Sequence, residues 1–292
     1  MNKYLKIRFL ALPIAIVAMA GCNNEEKPKG QAVTKDSVAA ATPSPKNDND
    51  FQKANETAER QEQQNNNPDS EPVPAEEIKQ NYTAPAELKY CRQSEEYLFD
   101  KFYPIGWSKD GHFAYIVEPA DEAAGLYFFE FVIQNMISDK KVWTWKPKDE
   151  VEEGSVKQMW KDYAMVFAEK LNQYGIIQQK DIKIEPTEFT NGGNKFKITI
   201  DNKMETCDFG FDVVKATDVF IKSPELGSKR IYSYTEKEIS YTLSKIVAGV
   251  IKSPYEDRIA VIVKTEINGY EGPPNVISQF LVGANLKESF KK

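Results

Sequence analysis

The chain has 292 residues, 41% of them hydrophobic and 12% aromatic, enough to bury a sizeable core. Its 44 acidic and 38 basic side chains leave a net charge of −6, without the basic clusters that a nucleic-acid binder needs. One histidine and three cysteines show no zinc-ligand spacing and no phosphate-cradling glycine loop is present, so metal and nucleotide chemistry are poorly supported and no cofactor is expected.

The chain starts with Lys3, Lys6 and Arg8, followed by an apolar run over residues 9–19. A run of about 11 residues is too short to cross roughly 30 Å of hydrocarbon as a helix. A basic start before a short apolar stretch reads as a secretory signal. It ends in Met19-Ala20-Gly21-Cys22, and a polar, acidic tract follows. This ending resembles the lipobox of bacterial lipoproteins, with Met19 standing where Leu is most common. The resemblance implies cleavage after residue 21, lipid on the Cys22 sulfur, and several acyl chains holding the protein to a membrane. Each buried methylene contributes about 0.8 kcal/mol, so such an anchor does not release. Asn23 stands where an Asp favours inner-membrane retention in enterobacterial lipoproteins. The resemblance therefore implies the outer membrane of a Gram-negative host, on its periplasmic face or surface. Residues 1–21 hold three basic side chains and no acidic ones, so their removal takes the net charge from −6 to −9. That charge opposes adsorption to anionic lipid.

Residues 22–86 are rich in Asn, Gln, Glu, Lys, Ala and Pro, with few large apolar side chains: Val33, Val38, Phe51, Val73, Ile78 and Tyr82. No apolar stripe repeats there, so burial does not offset chain entropy and a disordered linker is expected. Its mean span is about 45 Å, by the square-root rule for flexible chains.

From residue 87 to 292 the chain turns aromatic and strand-like. Residues 102–107 and 112–117 read as strands around Asp110-Gly111, a strong hairpin signal. Residues 126–137 read as a central strand, with Tyr127, Phe129, Phe131 and Ile133 on one face and Phe128, Val132 and Met136 on the other. A return strand over 142–146 completes a four-stranded antiparallel meander. This block resembles one blade of periplasmic propellers through Trp107-Ser108-Lys109-Asp110-Gly111, with weaker echoes starting at Ser223 and Ser253. The uneven spacing and an intervening helix exclude a full propeller. That helix is expected over 149–174, where Val156, Met159, Trp160, Tyr163, Phe167, Leu171 and Tyr174 share a face, with Ser155 as N-cap and Gly175 at the C-terminal end. Strands are expected over 182–185, 195–201, 217–222, 230–235, 241–251, 258–267 and 276–282. The fold class is thus mainly β (α+β), antiparallel meander sheets with one packed amphipathic helix, with a subdivision near 150–180 left open.

Few residues point to chemistry. His112 is expected as an exposed hairpin residue, and no nucleophile-elbow pattern surrounds a serine. Glu118, Asp121 and Glu122 cluster in one loop; paired carboxylates can cleave glycosides or hold calcium, and are also ordinary in a solvated loop. Trp143 and Trp145 share a strand face and form either a platform for a sugar ring or peptide side chain, or a piece of core. Tyr270, in the Pro-containing loop 268–275, is an aromatic placed for a partner contact. Cys91 and Cys207 either pair, closing a loop of about 116 residues worth about 4–5 kcal/mol in the chain-entropy model, or remain two separate buried thiols. The expected function is non-enzymatic binding or scaffolding from a lipid anchor, with the membrane and an envelope protein or glycan as partners. A cell-wall or glycan hydrolase and an immunity or inhibitor lipoprotein are the alternatives.

Overall fold

The computed structural model describes residues 81–120, 129–147, 154–238, 241–269 and 272–292, all within one unit, Glu71–Lys292. The signal, Cys22 and most of the linker lie outside the described residues. The described chain is built from β-strands and one α-helix arranged in three sheets.

The first sheet is the expected meander with an added strand. It contains β2 (Lys101–Trp107), β3 (His112–Glu118), β4 (Glu130–Asn135) and β5 (Lys140–Trp145), all antiparallel, and the short β6 (Ile177–Gln178) beside β2. β3 and β4 are apolar on both faces because both faces are covered. Phe113, Tyr115 and Val132 point into a cluster with Ala260, Ile262 and Leu281. Ala114, Ile116, Phe131 and Ile133 point the other way, into a cluster with Trp160, Phe167 and Leu171 of helix α1 (Val156–Gln173). Fully burying each of the larger apolar side chains among these contributes about 1.5–3 kcal/mol.

α1 starts at Ser155, whose hydroxyl accepts from the Gln158 amide. The expected start at 149 falls outside the described residues. The helix ends in a Schellman motif: the Ile176 amide donates to the Leu171 carbonyl (2.8 Å) and the Gly175 amide to that of Asn172 (3.0 Å). Gly175 takes the left-handed conformation this motif requires (φ 60°).

The second sheet has the order β1-β13-β12-β11, from β1 (Tyr97–Phe99), β13 (Asn275–Asn285), β12 (Arg258–Ile267) and β11 (Thr242–Lys252). β12 is covered on both faces. Its Ala260 and Ile262 face the first sheet, while Ile259, Val261 and Val263 face the third. β1 pairs with β13 in parallel, Tyr97 opposite Asn275, the one parallel pairing among otherwise antiparallel strands described here. The third sheet, β10-β9-β8-β7, comprises β7 (Glu188–Asn191), β8 (Asn194–Thr206), β9 (Asp212–Ser223) and β10 (Gly227–Thr235). It buries Phe189, Phe196, Ile198, Val219 and Ile221 against the second. The order of layers is helix, sheet, sheet, sheet.

Two details differ from the sequence reading. Residues 182–185 do not form a strand; only Glu185 makes a bridge, to Val250 of β11. Tyr82 belongs to the folded part rather than to the linker: its hydroxyl donates to the Ile176 carbonyl at 2.7 Å and lies 3.0 Å from Asn172 Oδ1. Beside it, Thr83 and the Gln178 amide exchange two hydrogen bonds, of 2.8 and 2.7 Å. The blade-like motif and its two echoes are hairpin connections: β2–β3, β9–β10 and β11–β12. In each a serine closes the turn, Ser108 to the His112 amide, Ser223 to that of Leu226, and Ser253 to that of Tyr255.

Candidate functional site

The β2–β3 turn brings Ser108, Asp110 and His112 together, but not as a nucleophilic triad. Ser108 is 1% exposed. Its hydroxyl donates to the Asp110 carboxylate and accepts from the His112 amide at 2.8 Å. His112 Nδ1 lies 3.0 Å from Asp110 Oδ1, and Nε2 is 3.4 Å from the Asn135 amide nitrogen. Burial pushes the Asp110 carboxyl up, but the bonds from Ser108 and His112 outweigh it and hold it below the ordinary range. The imidazole is not the exposed group expected; its side chain is 14% exposed and packs against the Tyr174 ring. His112 Nδ1 lies 3.5 Å from the Ser108 oxygen, but both groups are turned onto the same Asp110 carboxylate and the serine is buried, so nucleophile and base are not presented to a substrate. The cluster is a cross-braced turn.

Glu118, at the end of β3, is 8% exposed. Lys101 Nζ lies 2.6 Å from one carboxylate oxygen, and the Tyr103 hydroxyl donates to the other at 2.9 Å. The register puts Lys101 directly opposite Glu118, so the pair is a product of β2–β3 alignment. Burial pushes the Tyr103 hydroxyl up, and the bond to Glu118 adds to the effect. Asp100, which links β1 to β2, accepts from the Ala120 amide at 2.8 Å. Burial raises its carboxyl to about 6, against the pull of backbone donors at Ala120 and Gln279. Asp121 and Glu122, which sequence groups with Glu118, lie outside the described residues.

Trp143 and Trp145 do share a face of β5, the face turned to α1. Trp143 packs edge-on to Phe131 (5.1 Å between ring centroids), and Trp145 packs on Tyr163 and Phe167 (4.6 and 5.0 Å). Both are partly buried in the helix-facing cluster. Tyr270 lies outside the described residues; beside it Gly269 is buried and Pro273 and Pro274 are exposed. Cys91 and Cys207 carry free thiols. Cys207 is buried at the β8–β9 hairpin, and its amide donates to the Phe211 carbonyl. Burial pushes the half-buried Cys91 thiol up.

Two surface features were not found from sequence. The first is a cleft of about 460 Å³ beside β1, lined by Glu87, Gln93, Ser94, Glu95, Tyr97, Leu98, Phe99 and Lys101. The Tyr97 and Phe99 rings meet at 66° with centroids 6.1 Å apart. The Tyr-Leu-Phe alternation was the available signal, but its partner strand lies far along the chain. The second is an aromatic tip on the β8–β9 hairpin: Phe209, 72% exposed, meets Phe211 and Tyr241 at 6.4 and 6.1 Å. Among the described residues no group of His, Cys, Asp and Glu side chains is placed to hold a metal ion, and no helix is long and apolar enough to cross a membrane.

Comparison with known proteins finds no matching family model, no matching curated relative and no matching solved structure.

Proposed function

We propose that this protein is a lipid-anchored component of a bacterial cell envelope, held through Cys22, whose folded part binds or scaffolds a partner rather than catalysing a reaction. The observation that carries the anchor is the ending Met19-Ala20-Gly21-Cys22 after a basic start and a short apolar run. The binding role is supported by how the chemistry-bearing side chains are used. Ser108, Asp110 and His112 brace a turn, and Glu118 is held by Lys101 and Tyr103. The aromatic tip at Phe209 and the cleft beside β1 offer contact surface instead.

The anchor is tested by feeding cells an alkyne-tagged fatty acid and fractionating them. The protein should carry the tag and sediment with membranes, and Cys22→Ala should lose both; an untagged, soluble protein would overturn the anchor. The binding role is tested by crosslinking from intact envelopes with both forms as bait. A discrete protein recovered only with the anchored form supports it, and wall glycan fragments alone would overturn it.

A glycan hydrolase is the second reading. One observation favours it: Asp100, with its carboxyl near 6, has the raised affinity for a proton that a general acid needs. Glycan cleavage abolished by Asp100→Asn and Glu118→Gln would establish that reading.

A further inference from the structure

We propose that the cleft beside β1 binds a cationic group on an alkyl stem, the lysine or arginine side chain of a basic partner segment; this deepens the binding role proposed above. The cleft combines two features that together select such a group. The first is charge. Glu87 and Glu95 are exposed, and among the described residues neither makes an ion pair. The cation in the cleft, Lys101, is paired with Glu118 at 2.6 Å. The lining therefore keeps two uncompensated negative charges. The Glu87 charge is felt as far as the Tyr103 hydroxyl, which it helps to raise, so the field of the cleft continues into the Glu118 cluster.

The second feature is the aromatic pair. Tyr97 and Phe99 stand on the same side of β1, and their tilted rings line the cleft. A ring face attracts an ammonium or guanidinium within about 6 Å, and the methylenes behind such a head pack on the ring edges. An anionic ligand would meet two free carboxylates. A neutral sugar would use the rings and leave the charges idle. A cation on an aliphatic stem uses both, and the net charge of −6 on the chain raises its rate of encounter.

The test is calorimetric titration of pentalysine into the full-length chain in an uncharged detergent at low salt. Glu87→Gln/Glu95→Gln should weaken binding by about tenfold or more, the loss of two charge-assisted contacts. Tyr97→Leu should weaken it by several-fold with both carboxylates intact. Asp181→Asn/Asp201→Asn removes the same charge from exposed positions elsewhere and should leave affinity nearly unchanged. Equal losses in the two double variants would reduce the effect to net charge and overturn the proposal, as would absence of binding to the unaltered chain. The titration needs no membrane, so it stands or falls separately from the anchor.

Discussion

Gly283 of β13 lies against the Met136 carbonyl so closely that a Cβ on it would come within 1.9 Å of the oxygen. The same turn, between β4 and β5, is held from two further sides. Asp139 accepts from the Gly283 amide at 2.6 Å, and Arg258 Nη1 donates to the Met136 carbonyl at 3.0 Å. Here the first sheet is bolted to the second by two side-chain-to-backbone hydrogen bonds around a close backbone approach. Gly283→Ala should destabilise the fold by about 1–3 kcal/mol or more, since the atom it strikes is backbone and cannot rotate away. Urea denaturation reads this as a lower midpoint; an unchanged midpoint would mean the two sheets do not meet there.

Tyr115 and Gln134 link the same two sheets inside the core. The Tyr115 hydroxyl donates to Gln134 Oε1 at 2.9 Å, and Gln134 Nε2 donates to the Leu281 carbonyl at 3.2 Å. Gln134→Leu strands the buried hydroxyl and should cost about 1–3 kcal/mol. Adding Tyr115→Phe should recover part of that loss, because the stranded group is then gone. A double-mutant cycle with strictly additive costs would refute the coupling.

Asp100 makes stability depend on pH. Its carboxyl sits near 6 in the fold against 3.8 ordinarily, so the folded state holds the proton more tightly. Its contribution is complete below about pH 4 and is lost as pH rises through about 6. Across that window it amounts to about 2–3 kcal/mol at most. Asp139, also raised to about 6 by burial, acts in the same direction. Denaturation midpoints between pH 4 and 6.5 should fall less steeply in Asp100→Asn than in the unaltered protein. Parallel profiles would show that Asp100 titrates normally.

The braced turn predicts an inert serine. Ser108 is buried and donates to Asp110, so a fluorophosphonate probe should leave it unlabelled. Ser108→Ala should lower stability by about 1–2 kcal/mol, because the His112 amide loses its acceptor. Labelling at Ser108 would contradict this geometry.

Local pattern made much of this fold legible. Apolar residues on both faces of 126–137 meant a covered, central strand, and at 131–133 the structure places a sheet on one face and a helix on the other. The ends of the strand 258–267 and the Asp110-Gly111 hairpin were equally readable. Long-range pairing was not. Tyr97 and Phe99 look like loop residues until Asn275 and Ile277 are placed beside them. Tyr82 reads as linker because its anchors, Asn172 and Ile176, are distant in sequence. For Trp143 and Trp145, alternation gave a shared face but not its covering. Because it draws on β1, the cleft was hidden for the same reason as that strand.

The parallel clasp of β1 on β13 also dictates an order of assembly. A chain that becomes available from its N-terminus presents β1 long before β13, whose Asn275, Val276 and Ile277 are its partners. Tyr90 waits equally long for its acceptor, the Ile277 carbonyl. The meander closes one face on its helix early, whereas the face turned to Ala260, Ile262 and Leu281 and the edge at β1 stay open until β12 and β13 have emerged. A chain cut short before residue 275 lacks the partner of β1 and the acceptor of Tyr90, and with them the edge that carries the cleft.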